Sequence, residues 1–259
     1  MAARSAPYPG AQAVSRAIAV LKTFTDLQPR LTLAEISRGT RLNRATAHRL
    51  AAALEQEGLL VREAGGEAYR LGPEAIVLGS RALRANPLRQ ISRPELESLA
   101  HATRETASLE VLVDREMLIV DEVLSPGLVA GAPAVGTRWA AHATSTGKAV
   151  LAFGPEAAVT AYLRRALPVF TSETIAAADA FRQTLAAVRA RGYATVRDEL
   201  ELGYAAVAAP VLDHEGRPAG ALCVGGPSVR LTPDRLAEIA PLVRRSAEQL
   251  ARQLGFDRA

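Results

Sequence analysis

The sequence predicts an α+β chain of two domains, a small helical head closed by a short hairpin and a larger domain that mixes strands with helices. Three observations carry this. Between Gln12 and Leu71 the apolar residues recur first at helical and then at strand spacing. A proline break follows at Asn86-Pro87. Beyond it, short runs rich in alanine and valine alternate with helical stretches.

Residues 1–10 read as a loose arm with Pro7, Pro9 and Gly10. From Gln12 to about Asp26, Val14, Ile18, Leu21 and Phe24 fall at helical spacing. In 31-LTLAEISRGT-40, Thr32 caps a short helix and Glu35 completes a capping box; Gly39 is expected to end it. Asn43 caps a further helix that stops at Gly58. Leu59–Arg62 and Ala68–Leu71 then pair as a hairpin around the glycines of 63–67. Helix, helix, tight turn, helix and wing is the order of a winged helix-turn-helix, whose third helix enters the major groove of DNA.

That third helix, in 41-RLNRATAHRLAAALEQEG-58, gathers its hydrogen-bonding groups at its N-terminal end. Leu50, Ala53, Leu54 and Glu57 lie near one another with the leucines toward the core. Asn43, Arg44, Ala47 and His48 are expected on the opposite front, with small Ala45 and Ala47 letting the helix sit close to a groove. Arg44 and His48 are placed to reach base edges. Thr46 and Arg49 are placed for phosphates, helped by the partial positive charge of the helix start. Arg16, Arg62, Arg70 and, on the arm, Arg4 are candidates for backbone contacts, each equally readable as a solvated arginine. Double-stranded operator DNA is the partner this end predicts.

The head spans 1–72, a connecting helix 73–87, and a second domain 88–259. In the second domain, strands are expected at 109–113, 117–122, 193–197, 205–212 and 219–225. Helices are expected at 145–153, 155–166, 176–191 and 232–254, lying on one side of the strands.

Composition narrows the classes. A chain of 259 residues, 49% of them hydrophobic, is long enough for two cores. No apolar run of about 18 residues occurs, and the N-terminus lacks a signal-peptide core, so a cytoplasmic protein without a membrane partner is expected. Cys223 is the single cysteine and the four histidines form no ligand cluster; no metal or cofactor is expected. Of the net charge of +4, residues 1–75 hold +3, with 10 Lys+Arg against 7 Asp+Glu. That margin alone is too thin to mean nucleic acid.

Two sets of stretches together resemble a known family. The segments 15-SRAIAVLKTF-24, 31-LTLAEISRGTRLNRATAHRLAAALEQEGLL-60 and 69-YRLGPEAIVLG-79 resemble the DNA-binding half of the IclR family of bacterial transcriptional regulators. The segments 136-GTRWAAHATSTGKAVLAF-153, 192-GYATVRDELELGYAAVAAPVLD-213 and 221-ALCVGGPSVRLT-232 resemble its effector-binding half. A repressor of a catabolic operon that senses a small organic acid is expected, the acid held by the N–H groups of the 145–148 helix start. The resemblance implies a GAF-like ligand domain behind the winged helix and a homodimer or homotetramer on a palindromic operator. It makes Trp139, Ser145, Thr146, Gly147, Val196, Tyr204, Ala206, Cys223 and Ser228 the effector-site candidates. The chain departs from the family pattern at Val196 and Arg197, where an acidic residue is usual, at Ala206, often Cys or Ser, and at Trp139-Ala140-Ala141. The loss of the acid at Val196 makes an aromatic acid the leading effector.

A rival reading is enzymatic. Ser145-Thr146-Gly147-Lys148 matches the S-x-x-K of serine acyl-transfer enzymes, a short pattern whose companion motifs are missing. It also reads as a helix start able to hold an anion. Lys148 is one of only two lysines beside 29 arginines. Asp198, Glu199 and Glu201 read as a solvated or pocket-rim group, Arg138 and Arg197 as possible carboxylate partners, and Cys223 as a small hydrophobe.

Overall fold

The computed structural model describes residues 11–63, 66–125 and 135–256. The chain forms two compact units that divide between Ala85 and Asn86.

The first unit begins with helix α1 (Gln12–Leu21), followed by strand β1 (Leu31–Thr32) and helices α2 (Leu33–Thr40) and α3 (Arg44–Gln56). Strands β2 (Leu60–Arg62) and β3 (Ala68–Leu71) and helix α4 (Pro73–Arg84) complete it. Helix α1 is shorter than the periodicity predicts, because the Thr23 hydroxyl donates to the Val20 carbonyl at 2.6 Å and closes the last turn. Phe24 still joins the core from beyond it. Thr32 and Glu35 form the expected capping box on α2. Gly39 does not end that helix: Arg41 does, in the left-handed conformation at φ 57°. A Cβ at Gly39 would lie 3.1 Å from Thr23 Cγ2, so this glycine sits where the α1 end comes close. Val20, Ile36, Ala51, Leu54, Leu60 and Tyr69 form the core. The wing is a three-stranded sheet in the order β1-β3-β2. Its extra strand escapes a sequence reading because two residues are too few to show alternation. Helix α4 has no buried side chain.

The second unit opens with helix α5 (Pro87–Thr103), strands β4 (Thr106–Val113), β5 (Glu116–Val123) and β6 (Arg138–Ala140), and a 3-10 turn at Ala141–Ala143. Helices α6 (Ser145–Phe153), α7 (Glu156–Leu163) and α8 (Ala178–Arg191) follow. Strands β7 (Ala194–Arg197), β8 (Tyr204–Leu212) and β9 (Pro218–Pro227) and helix α9 (Pro233–Gln253) close the unit. The strands make one antiparallel sheet in the order β6-β5-β4-β9-β8-β7. Helices cover both faces, where the sequence reading expected one. On one face Leu96 of α5 and Ile239 and Val243 of α9 pack on Leu109, Val207 and Leu222. On the other, Ala149 of α6 and Phe181 of α8 pack on Met117, Ala206, Ala208 and Cys223. Strand β8, YAAVAAPVL, is buried on both sides beyond its first residue. It therefore reads as a continuous apolar run, and its alternation is between two cores rather than core and water.

Candidate functional site

In the first unit, Asn43 caps α3 by accepting the Thr46 N–H at 2.8 Å. Ala47, Ala51 and Leu54 face the core, Ala47 wholly buried. Ala47 therefore does not share the front with Arg44, as the sequence reading expected: it lies one turn before Ala51 on the packed side. Arg44, Ala45, His48 and Arg49 are exposed and Thr46 is half-buried. Arg44 and His48, four apart, share one edge of the helix. Arg16 and Arg70 are exposed as well. Arg62 lies over the Tyr69 ring, 5.0 Å from its centroid, and donates to the Tyr69 hydroxyl. Sequence reasoning passed over Arg41, exposed at the left-handed turn that enters α3. Its signal was positional: it precedes the Asn43 cap by two residues. Arg4 and the tip residues Ala64 and Gly65 lie outside the described residues.

In the second unit, the sheet face under α6 borders a half-open cavity of about 390 Å³. Its walls come from β4 to β9, the first turn of α6 and the loop 198–203. Trp139, Ser145, Thr146, Val196, Tyr204, Ala206 and Cys223 all line it. Gly147 and Ser228 do not. A Cβ at Gly147 would lie 2.0 Å from the Ala141 carbonyl oxygen, so this glycine lets α6 close on the preceding turn and faces away from the cavity. Its N–H is held by the Thr144 hydroxyl at 3.1 Å. Ser228 is buried, and its N–H donates to the Gly203 carbonyl at 2.7 Å, fastening the loop that forms the wall. At Gly225 a Cβ would lie 2.0 Å from the Tyr204 hydroxyl oxygen, so the phenol needs glycine beneath it.

Glu201, read from the sequence as a solvated or pocket-rim residue, lines the cavity, and sequence reasoning missed the rest of its acidic lining, Glu105, Glu110 and Glu122. Period-two alternation on β4 places Ser108 and Glu110 on the same face, opposite the apolar side occupied by Ala107 and Leu109. Glu110, 6% exposed, accepts from the Thr146 hydroxyl at 2.7 Å and the Ser108 hydroxyl at 3.1 Å. Burial pushes its carboxyl above the usual range, against the pull of those hydroxyls. Burial also raises Glu122. Glu105 is bridged by Arg230 through two contacts of 2.7 Å. Burial pushes the Cys223 thiol up to about 12, which leaves no useful thiolate near neutrality; its sulfur lies 3.6 Å from the Ser145 hydroxyl.

Lys148 is 1% exposed and donates to Glu199, itself 8% exposed. Glu199 is thus an interior ion-pair partner, not the solvated or rim group the sequence implied. Desolvation pulls the lysine below its usual range and pushes the glutamate above its own, while their mutual attraction opposes both. In the S-x-x-K pattern, the Lys148 ammonium is thus bonded to Glu199 and the Ser145 hydroxyl lies beside Cys223. The two arginines offered for a carboxylate are engaged elsewhere. Arg138 lies 3.6 Å from Glu116, and Arg197 donates to the carbonyls of Ser228 and Leu231. Among the described residues no helix is long and apolar enough to cross a membrane.

The chain matches two family models, "IclR helix-turn-helix domain" over residues 13–64 and "Bacterial transcriptional regulator IclR C-terminal" over residues 80–252. It is 34% identical to the glycerol operon regulatory protein of Streptomyces griseus, covering 95% of this chain and 98% of that one. It is 30% identical to the transcriptional repressor IclR of Escherichia coli K12, covering 98% and 94%. Its fold matches the crystal structure of an IclR homologue from Microbacterium hydrocarbonoxydans complexed with 4-hydroxybenzoate. That match has a TM-score of 0.79 at 26% identity and covers 93% of this chain and 98% of that one. With a winged helix-turn-helix followed by a helix-covered sheet around a cavity, and family models spanning both, the chain belongs to the IclR family of bacterial transcriptional regulators.

Proposed function

We propose that this regulator represses a catabolic operon and is controlled by a small organic acid, with a single-ring aromatic acid as the leading class. Asn43, Arg44, Thr46, His48 and Arg49 face the operator, with Arg16 and Arg70 on the flanking backbone. Arg44 and His48 read bases and the others hold phosphates. The observation that carries the effector reading is the cavity. Its roughly 390 Å³ lies in the range of small-ligand sites, and it joins the flat Trp139 ring to hydroxyls at the α6 start. Val196 gives its wall an apolar surface, and the relative crystallised with 4-hydroxybenzoate supports the ligand class. The active form is a homodimer or homotetramer in the cytoplasm. The ligand acts by binding one arrangement of the subunits more tightly, and so biases the spacing of the heads against the half-sites. No catalysis is part of this reading.

A gel shift on DNA upstream of the protein's own gene, with and without 4-hydroxybenzoate, benzoate, glyoxylate and pyruvate, tests it. A specific shift altered by the aromatic acids supports the reading. Response to the short acids alone overturns the aromatic class, and no specific shift overturns operator binding. Turnover of activated esters would revive the hydrolase alternative.

A further inference from the structure

The cavity has an electrostatic peculiarity for an acid-binding site. Among the described residues, four glutamates line it and no lysine or arginine does. Arg230 at Glu105, Arg138 at Glu116 and Arg197 at the 228 and 231 carbonyls are the nearby cations already engaged. The positive end available to a ligand carboxylate is the first turn of α6, where backbone N–H groups have no acceptor within the helix. Glu110 sits at that same turn, because its carboxylate accepts from Thr146. A ligand carboxylate at hydrogen-bond distance from the buried Glu110 carboxylate cannot be ionised together with it; one must hold a proton. Each oxygen of Glu110 already accepts a hydroxyl, and each retains capacity for one more hydrogen-bond partner.

We propose that the cavity binds a monocarboxylic acid together with one proton, and that Glu110 carries this proton and donates it to the ligand carboxylate. The inference rests on the effector reading above and deepens it. The proton comes from solvent, and no covalent bond changes. Glu110 is then a specificity residue as well, since a second carboxylate on the ligand would meet Glu122 or Glu201 with no cation to receive it. The other groups facing Glu110 are Ser108 on its own strand, Glu122 on β5, Tyr204 on β8, Cys223 on β9, Ser145 and Thr146 on α6, and Glu201 on the loop. The Tyr204 phenol and Cys223 thiol stay neutral near pH 7, both raised by burial, which leaves the carboxyls of Glu110, Glu122 and Glu201 as the groups able to take the proton. Glu110 is the one placed at the α6 turn.

Titration calorimetry on the full chain decides it, with benzoate, 4-hydroxybenzoate and the dianion terephthalate. Each is run in buffers of differing ionisation enthalpy between about pH 6.5 and about pH 8.5. In the wild type, proton uptake should rise toward one per monoacid at the alkaline end, and affinity should fall there about tenfold per pH unit. Terephthalate should bind at least about tenfold more weakly than benzoate. Glu110→Gln should bind monoacids with no proton uptake and a flat pH profile, while Glu122→Gln should keep the uptake. Monoacid binding without proton uptake, uptake that survives Glu110→Gln, or equal affinity for terephthalate each overturns the proposal and leaves acid sensing standing. If none of the acids binds the wild type, acid sensing falls and this proposal with it. Should Glu110→Gln fail to fold, uptake lost in Glu122→Gln or in Glu201→Gln overturns the assignment on its own.

Discussion

Lys148→Met should destabilise the second unit by about 3–5 kcal/mol near pH 8, because it leaves the Glu199 carboxylate buried without its cation. The pair is interior: Lys148 is 1% and Glu199 8% exposed, and the second Glu199 oxygen already lacks a partner. Around it the Glu199 carbonyl accepts from the Thr174 hydroxyl at 2.7 Å and the neighbouring Asp198 carbonyl from Thr171 at 2.6 Å. The pair therefore pins the start of the loop whose later residues wall the cavity. The sign of the pH effect follows from burial. Without the lysine the folded-state pKa of Glu199 rises further above its unfolded value. Stability is then fully present below the unfolded pKa of about 4.3 and is lost by about 1.4 kcal/mol per pH unit until the folded pKa is passed. The variant's deficit should thus shrink by about 2 kcal/mol or more between about pH 8 and about pH 5. Urea unfolding followed by tryptophan fluorescence measures this, since Trp139 is the single tryptophan and lies in the second unit. With an m-value of about 2 kcal/mol/M the midpoint should drop by about 2 M at the higher pH. Lys148→Met/Glu199→Gln should abolish most of this pH dependence, because it removes the buried carboxylate. A loss below about 1 kcal/mol near pH 8, or a loss that ignores pH, would refute the interior-charge argument.

Asn43→Ala should cost about 1 kcal/mol in the stability of the first unit, measured on its own unfolding transition by circular dichroism, while Asn43→Asp should cost little. Arg44→Ala should lose about 1–3 kcal/mol on the operator and much less on random DNA in quantitative gel shifts; equal losses would make Arg44 a phosphate contact. Gly147→Ala should destabilise by about 3 kcal/mol or prevent folding of the second unit, since the added carbon meets the Ala141 backbone at 2.0 Å; a wild-type melting curve would contradict that packing. His142 is 1% exposed, and burial holds its imidazole below the usual range. The unfolded chain therefore binds the proton more readily, and stability should fall as pH drops below about 6.5. His142→Gln should flatten that slope in urea titrations.

The sequence by itself determined the features that are local along the chain. Thr32 with Glu35 and Asn43 with the Thr46 N–H are caps made within one helical turn, so their spacing states the contact. The third helix with its polar start, and the apolar strands of the second unit, were legible for the same reason. Family resemblance supplied what spacing does not, that Trp139, Val196 and Cys223 share one cavity across three different strands. Only the tertiary structure decided which side each residue serves. Ala47 went to the core because helical phase is set by what packs, and alanine fits a close helix crossing as readily as a groove. Gly147 and Ser228 turned away from the cavity because backbone approach and loop fastening have no signature in residue type. The buried glutamate of the lining was hidden in TASLEVLV, where Glu110 reads as an ordinary solvent-facing strand residue. Helices on both faces of the sheet place it in the interior, and burial is what turns an unremarkable carboxylate into the chemistry of the site. Lys148 and Glu199, 51 residues apart, become one ion pair only when α6 and the loop after β7 meet.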